Sequence, residues 1–341
     1  MIPLKRLTEI LAEFPRLQVG LIGDLFLDRY LEIPRCATEL SIETGLEAYQ
    51  VTSVRNSPGA LGTVMNNLAA LGVGQLKPVT VIGEDGHGFD LLRSLEALPV
   101  DKSHILQCAD RLTPTYTKPL HEQPDGEWRE LNRLDVRTRG PLDDATRQDL
   151  LRHLDAVMET TDGLIVMDQV SEENQGVVHE QVRRRLAELC RARPDRLIFI
   201  DSRSQLAEFS FGVLKGNESE IVRAAGAAQD SQNAALALAR RTGRTVFCTI
   251  GERGTLVAEA SGQVTRVPGC PISGPVDIVG AGDSATSGMV LALLAGADPV
   301  EAATIGNLVA SVTVQQLGKT GTASPDQVLA RWREVGQLWA T

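Results

Sequence analysis

Short apolar runs alternate with amphipathic stretches along most of the chain. Four runs have the length and composition of buried strands, and they lie at residues 17–22, 79–82, 164–168 and 197–201. Three stretches with helical spacing follow the first three runs, at residues 59–71, 89–98 and 174–190. Strands that alternate with helices are typical of a mainly parallel sheet with helices on both faces. The pattern therefore predicts a doubly wound α/β fold.

The C-terminal part continues this pattern. It predicts a helix over residues 232–242 that ends at Gly243, and strands at residues 245–250, 255–259 and 263–267. A further helix is expected to run from Ser284 to about Gly296. Asp298, Pro299 and Glu301 then match the N-cap, first-turn proline and capping-box acid of another helix.

Two segments, residues 30–54 and 113–134, depart from this alternation. Both contain β-favouring residues with no helical period between them. We expect them to pair as a small separate sheet that serves as a lid, within a single domain spanning residues 1–341. Such lids often have an apolar face, so a homodimer through the lid is also expected.

Charge and composition exclude several classes of protein. The 341 residues include 34 Lys and Arg against 44 Asp and Glu, and the formal charge of −10 disfavours nucleic acids and anionic membranes as partners. The run Arg183-Arg184-Arg185 is interpreted as a solvated helix face. The longest apolar run, residues 289–297, is far below the roughly 20 residues that cross a bilayer. No signal peptide is evident either, and we expect a cytoplasmic protein.

The cysteines and histidines indicate neither a disulfide framework nor a metal site. The five cysteines are scattered and include no C-x-x-C pair, which is typical of small apolar side chains in a reducing compartment; they are Cys36, Cys108, Cys190, Cys248 and Cys270. The five histidines show no spacing typical of metal ligands. Because the chain has a net negative charge, a phosphate group would have to be held locally, by backbone amides, a helix end or a metal ion.

The most informative segment runs from Val276 to Ser284, where a β-type run meets a turn of small residues and then a helix. Small residues allow backbone N–H groups to approach an anion at a helix N-terminus. Phosphoryl transfer needs such an amide cradle, with a carboxylate that accepts a proton from the acceptor hydroxyl. Gly280, Ala281 and Gly282 are the candidate cradle and Asp283 the candidate base.

Other interpretations of this region remain open at the level of the motif. Asp283 could simply cap the helix. The spacing Gly280-x-Gly282-x-x-Ala285 also fits a dinucleotide-binding motif, although no strand is predicted between this helix and Glu301. Gly318-Lys319-Thr320 resembles the end of a P-loop, but the segment before it is predicted to be helical.

Asp277-x-x-Gly280-Ala281-Gly282-Asp283 resembles the C-terminal signature of the ribokinase-like (PfkB) carbohydrate kinases. Further matches follow the family's order along nearly the whole chain, and together they are similar to the kinase module of bifunctional heptose kinase/adenylyltransferases. They are Gly23-Asp24-x-x-Leu27-Asp28-Arg29-Tyr30, Pro58-Gly59, Asn67-Leu68-Ala69-Ala70-Leu71-Gly72, Asn217-x-x-Glu220, Thr249-x-Gly251-x-x-Gly254 and Asn307.

The resemblance implies an ATP-dependent kinase that phosphorylates a hydroxyl of a small, sugar-like substrate. Asp283 would be the base and Gly280, Ala281 and Gly282 the anion hole. Asn217 and Glu220 would organise Mg²⁺ and its waters, with Glu220 acting on the metal through water.

The resemblance also assigns the two substrates to separate sets of residues. It places Thr249, Gly251, Gly254 and Asn307 at the nucleotide, and Asp28, Gly59 and Thr63 at the sugar. Asp277 would help to bind a monovalent cation such as K⁺.

Two departures from the family pattern concern the substrate. The family's usual pair of glycines and the asparagine that follows them become Gly59-Ala60-Leu61-Gly62-Thr63, so Ala60 replaces a glycine and Thr63 replaces an asparagine. A threonine offers one hydrogen-bond donor where asparagine offers two. A sensor that binds sugar or nucleotide without turnover is therefore the alternative function. The fused adenylyltransferase of the heptose enzymes is not expected in this chain.

Overall fold

A nine-stranded sheet forms the centre of the part of the chain that the computed structural model describes, residues 2–35, 38–226, 230–318 and 320–339. The strands of the chain are β1 (Gln18–Gly23), β2 (Leu25–Ile33), β3 (Thr38–Leu40), β4 (Glu47–Tyr49), β5 (Ser53–Ala60), β6 (Gln75–Gly83), β7 (Ile105–Cys108), β8 (Thr115–Glu122), β9 (Trp128–Glu130), β10 (Leu134–Val136), β11 (Gly163–Asp168), β12 (Leu197–Ser202), β13 (Val213–Asn217), β14 (Val246–Thr249), β15 (Thr255–Ala258) and β16 (Val264–Val267). The nine follow the order β16-β15-β14-β13-β12-β11-β1-β6-β7.

Helices cover both faces of this sheet. They are α1 (Leu4–Glu13), α2 (Leu61–Ala70), α3 (Gly86–Ser94), α4 (Asp144–Thr160), α5 (Glu180–Ala192), α6 (Glu218–Ala225), α7 (Ser231–Thr242), α8 (Ala281–Leu294), α9 (Pro299–Thr313) and α10 (Pro325–Trp339). One apolar cluster includes residues of α1, α2, α3, α8, α9 and α10, and a second includes residues of α4, α5, α6 and α7. The predicted α/β fold with helices on both faces is confirmed.

The sheet is parallel from β7 to β14 and antiparallel at its other edge. In the centre, β1 pairs in parallel with β6 and β11, and Ile22 lies opposite Val79 and Val166. Every residue of β11 is buried, as expected for a strand covered on both faces. Because the parallel strands end at one edge, the residues that follow β12 and β13 lie beside the N-terminus of α8.

A second, small sheet consists of β10, β8, β2 and β5 in that order, with β9 paired to β8. Its strands lie within residues 25–60 and 115–136 and overlap the two segments that depart from the α/β alternation. β2 leads directly out of the main sheet after β1 and pairs with β5 from Leu25 to Glu32. The hairpin of β3 and β4 exposes Leu40, Ile42 and Leu46.

Several local expectations are wrong, each for a physical reason. The helix expected from residue 174 begins at Glu180, because Asn174 has a left-handed backbone (φ 59°) and the Asp24 carboxylate accepts hydrogen bonds from the amides of Gln169, Val170 and Val177. Arg183 is buried rather than solvated, and its guanidinium donates to Val178 O and Gln205 Oε1.

The segment before α8 also differs from its prediction. Residues 276–279 form no strand but an irregular loop in which Val276, Ile278 and Val279 are exposed. The helix begins at Ala281, three residues before the expected Ser284, and so contains Asp283.

Within the described residues, no helix is both long and apolar enough to cross a membrane. The cysteines that the structure describes, Cys108, Cys190, Cys248 and Cys270, are free thiols. Cys36 and Lys319 lie outside the described residues.

Candidate active site

The N-terminus of α8 is built around Gly280. This residue is the N-cap, with a left-handed backbone (φ 78°) that favours glycine, and it makes no side-chain cap. A Cβ at this position would lie 2.7 Å from Thr320 Cγ2 and 3.5 Å from Thr63 Cγ2. Asp283 is the third residue of the helix, so the interpretation of Asp283 as the helix cap is wrong.

Three backbone amides at this turn have no hydrogen-bond partner among the described residues. They belong to Gly280, Gly282 and Asp283, whereas the amide of Ala281 donates to Ile278 O at 3.1 Å. Ser284 N is the first amide of the regular helix and donates to Gly280 O at 2.9 Å. Free amides at a helix N-terminus attract an anion because the helix dipole adds to their partial positive charge.

The side chain of Asp283 accepts no hydrogen bond from any residue that the structure describes. Burial raises the pKa of its carboxyl group to about 7, and the nearby Asp201 adds to the rise. Lys215 and Arg203 lower the same pKa, while Glu220 raises it. A carboxylate with a pKa near neutrality and free oxygens can accept a proton at physiological pH.

Two charged residues beneath this turn were not predicted from the sequence. Lys215 in β13 and Asp201 in β12 are both buried, and Lys215 Nζ lies 2.7 Å from Asp201 Oδ2. Lys215 Nζ also donates to Gly282 O at 3.2 Å, and Thr286 Oγ1 donates to Asp201 Oδ2 at 3.0 Å. A lysine that directly follows the apolar residues Val213 and Leu214 is the sequence signal that could have identified this pair.

Asn217 and Glu220 lie at the start of α6, at the carboxyl end of β13. They form a capping box in which Asn217 Oδ1 accepts from Glu220 N at 3.0 Å and Glu220 Oε2 accepts from Asn217 N at 2.7 Å. Burial raises the pKa of Glu220, although the amide of Asn217 lowers it. Glu220 Oε1 accepts no hydrogen bond within the described part of the chain, so one carboxylate oxygen is available to a water or a cation.

A cavity of about 470 Å³ opens beside this motif. It is lined by Asn217, Glu218, Ser219, Val222, Thr249, Ile250 and Gly251. The cavity therefore brings together three residues predicted at the nucleotide and its metal, namely Asn217, Thr249 and Gly251.

Gly254 and Asn307 are buried, and both contact the sheet edge that β15 and β16 form. Gly254 has φ 96°, and a Cβ there would lie 2.1 Å from Val267 O. Asn307 is buried, and its side chain accepts from Thr255 Oγ1 at 2.7 Å and donates to Pro268 O at 3.1 Å. Neither residue lines the cavity, and their role at the nucleotide stays a prediction.

The predicted sugar residues lie on the small sheet and α2. Asp28 in β2 is buried, and its Oδ1 lies 3.3 Å from Lys118 Nζ in β8. A Cβ on Gly59 would lie 2.8 Å from Asp28 Oδ2, which explains the glycine there. Thr63 is buried in the first turn of α2, within van der Waals reach of the Gly280 turn. Helix α2 thus connects the Asp28–Gly59 contact to the N-terminus of α8.

Asp277 organises the loop before α8. Its Oδ1 accepts from Val279 N at 3.1 Å and its Oδ2 from Gly318 N at 3.2 Å. Its own amide donates to Val314 O at 2.8 Å. The carboxylate therefore ties the loop to the turn that follows α9.

Comparison with protein families gives one match over most of the chain. A family model described as pfkB family carbohydrate kinase matches residues 31–327. Among curated proteins, the bifunctional protein HldE of Mesorhizobium japonicum is 28% identical over 324 residues, covering 92% of this chain and 61% of that protein. The protein of the same name from Citrifermentans bemidjiense is 29% identical over 329 residues, covering 92% and 62%. This chain spans less than two-thirds of the length of these relatives.

Solved structures share the fold at low identity. Phosphofructokinase-2 from Escherichia coli, in complex with substrates and products, has a TM-score of 0.69 and 19% identity, covering 94% of this chain and 100% of that chain. Arabidopsis thaliana ribokinase, complexed with ribose and ATP, has a TM-score of 0.64 and 18% identity, covering 92% and 98%.

Proposed function

Because this chain belongs to the pfkB family of carbohydrate kinases, we propose that it transfers the γ-phosphate of ATP to a hydroxyl of a sugar or sugar-like molecule. One observation carries the proposal. The amides of Gly280, Gly282 and Asp283, which have no partner within the described part of the chain, lie together at one helix N-terminus, beside a carboxylate whose pKa is raised to about 7. An anion site next to a base is what transfer of a phosphoryl group to an alcohol requires.

In this proposal Asp283 accepts the proton of the attacking hydroxyl. The N-terminal amides of α8 stabilise the negative charge that spreads over the oxygens of the transferring group. From the sequence alone, that role was predicted for Gly280, Ala281 and Gly282. Since the amide of Ala281 donates to Ile278 O, the free amides favour Gly280, Gly282 and Asp283 as the donors.

We place the nucleotide in the 470 Å³ cavity, with its phosphates directed towards α8. Thr249 and Gly251 line this cavity, whereas Gly254 and Asn307 would act by holding the edge strands behind it. The free Oε1 of Glu220 and the Asn217 side chain fit a Mg²⁺ ion that retains several waters. Such an ion would neutralise charge on the phosphates.

Asp277 supports a narrower proposal for a monovalent cation such as K⁺. Its carboxylate accepts hydrogen bonds from Val279 N and Gly318 N and so fixes the loop that precedes the anion site. Turnover measured in K⁺ and in tetramethylammonium salts of equal ionic strength tests this proposal. Equal rates in the two salts would contradict it.

The sugar would lie between α2 and the small sheet. The Asp28 carboxylate is suited to accept hydrogen bonds from sugar hydroxyls, and Thr63 lies between Asp28 and the anion site along α2. A threonine in place of the usual family asparagine has fewer donors, which favours a substrate with a different hydroxyl arrangement nearby. The small sheet would then act as a lid that excludes water from the phosphoryl group.

The exposed side chains Leu40, Ile42 and Leu46 on the β3–β4 hairpin support a homodimer formed through the lid segment at residues 30–54, which contains this hairpin. Replacement of Ile42, which is fully exposed, by lysine should convert such a dimer to a monomer. Light scattering after gel filtration measures this directly. A wild-type monomer at micromolar concentration would contradict the dimer.

Release of ADP across a panel of sugars tests the proposed function. We expect one class of sugar to raise ADP release well above the rate with ATP alone. Tight ATP binding with no stimulation by any sugar would instead support a sensor that binds without turnover, the alternative that the altered Ala60 and Thr63 positions favour.

A further inference from the structure

Lys215 and Asp201 form a buried ion pair directly behind the candidate base. Both side chains are almost inaccessible to solvent, with exposed fractions of 5% and 9%, and their charged atoms are 2.7 Å apart. Burying two charges costs desolvation energy, and a buried pair is often no more stabilising than apolar residues of the same size. The position of this pair therefore calls for an explanation other than stability.

The pair is connected to the first two turns of α8 by two further hydrogen bonds. Lys215 Nζ donates to Gly282 O at 3.2 Å, and Thr286 Oγ1 donates to Asp201 Oδ2 at 3.0 Å. A Cβ on Gly282 would lie 3.1 Å from Lys215 Nζ, so the ammonium packs against the backbone there. Lys215 and Asp201 thus hold both the residue before Asp283 and the residue three positions after it.

We propose that Lys215 and Asp201 are positioning residues for the base: Lys215 fixes the first turn of α8 through the Gly282 carbonyl, and Asp201 orients Lys215. This inference rests on the proposed function of Asp283, and it assigns a role to two residues outside the motifs of the sequence. Neither residue needs to touch the substrates.

The two members of the pair act on Asp283 with opposite sign. The Lys215 ammonium lowers the pKa of Asp283, and the Asp201 carboxylate raises it. Burial lowers the pKa of Lys215, but Asp201, together with Asp283 and Glu220, raises it, and the net shift is upward. The other charged groups that face Asp283 are Arg203, which lowers its pKa, and Glu220, which raises it.

The test is the pH dependence of kcat/KM in Lys215→Met, Asp201→Asn and the double variant. The pH at which kcat/KM is halved on the acid side of the profile, here called the acidic limb, should change in opposite directions. It should rise by about one pH unit in Lys215→Met and fall by about one unit in Asp201→Asn, as expected for loss of one nearby charge. The double variant should lie between them. The pair Asp155–Arg185, which joins α4 to α5, supplies the control Asp155→Asn, whose limb should match wild type.

The proposal would be overturned if the acidic limb did not shift, or if it shifted in the same direction in both single variants. A pair with a purely structural role would lower activity without moving the limb in opposite directions. If Lys215→Met does not fold, Asp201→Asn and the double variant decide the matter. Failure of the proposed function is distinguishable, because it would appear as full turnover in Asp283→Asn whatever the behaviour of the pair.

Discussion

Asn217 and Glu220 cap the same helix reciprocally, each side chain accepting a hydrogen bond from the backbone amide of the other at 3.0 and 2.7 Å. The motif therefore has a structural role that does not depend on any ligand. The same residues line or border the cavity at the carboxyl end of β13. The capping role of Glu220 can be separated from its proposed role at the metal, because glutamine caps a helix almost as well as glutamate but carries no charge.

Glu220→Gln should retain the fold and weaken the response to Mg²⁺. The amide oxygen still accepts from Asn217 N, so we expect a free energy of unfolding within about 0.5 kcal/mol of wild type. Loss of the charge should raise the Mg²⁺ concentration for half-maximal turnover by about 10-fold or more. ADP release measured against Mg²⁺ concentration, together with thermal melts, checks both expectations.

Glu220→Ala is the matched comparison. It removes the cap as well as the charge, and the free energy of unfolding should fall by about 1 kcal/mol. An unchanged Mg²⁺ dependence in Glu220→Gln would remove Glu220 from the metal site.

Ala60→Gly should stabilise the protein. Ala60 has φ 53° and ψ −114°, a backbone conformation that costs a residue with a Cβ about 1–3 kcal/mol. The greater freedom of glycine in the unfolded chain offsets about 0.5–1 kcal/mol of this. Urea unfolding should therefore show a net gain of about 1 kcal/mol.

Ala69→Gly, within the ordinary helical part of α2, is the control and should lose about 1 kcal/mol. Destabilisation of both variants to the same extent would show that position 60 carries no backbone strain.

The rate should depend on pH through Asp283. Its pKa is raised to about 7 by desolvation of the half-buried carboxyl group and by the nearby Asp201. A protonated carboxyl cannot accept the hydroxyl proton, so kcat/KM should fall roughly 10-fold for each pH unit below that value and level off above it. A profile that is flat from pH 5.5 to 8, measured with chemistry rate-limiting, would assign the base elsewhere.

The α/β core could be predicted from the sequence because strands buried on both faces appear as continuous apolar runs. β1, β11 and β12 agree with their predicted bounds to within one residue. The start of α5 could not be predicted in this way, because the Asp24 carboxylate, more than 140 residues away in sequence, holds the amides of Gln169 and Val170. Hydrogen bonds between a side chain and backbone amides that are distant in sequence leave no pattern in the local sequence.

The candidate site could be predicted at positions where only glycine fits, such as Gly280 and Gly59. A Cβ added at these positions would contact Thr320 and Asp28, respectively. Lys215 was missed because the pattern of apolar runs predicted no strand at residues 213–217, and a local pattern does not indicate which neighbouring strand pairs with a buried charge. Asp201 becomes its partner only through the parallel pairing of β12 with β13, in which the two residues are opposite each other.

Turnover of Asp283→Asn, measured beside ATP binding by calorimetry, tests the central claim most directly. The substitution removes a proton acceptor and little volume, and it leaves the amides of the α8 N-terminus in place. We expect turnover to fall by at least about 100-fold, the lower range for loss of a general base, with the Kd for ATP changed less than about threefold. Turnover close to wild type with unchanged ATP binding would contradict the assignment of Asp283 as the base.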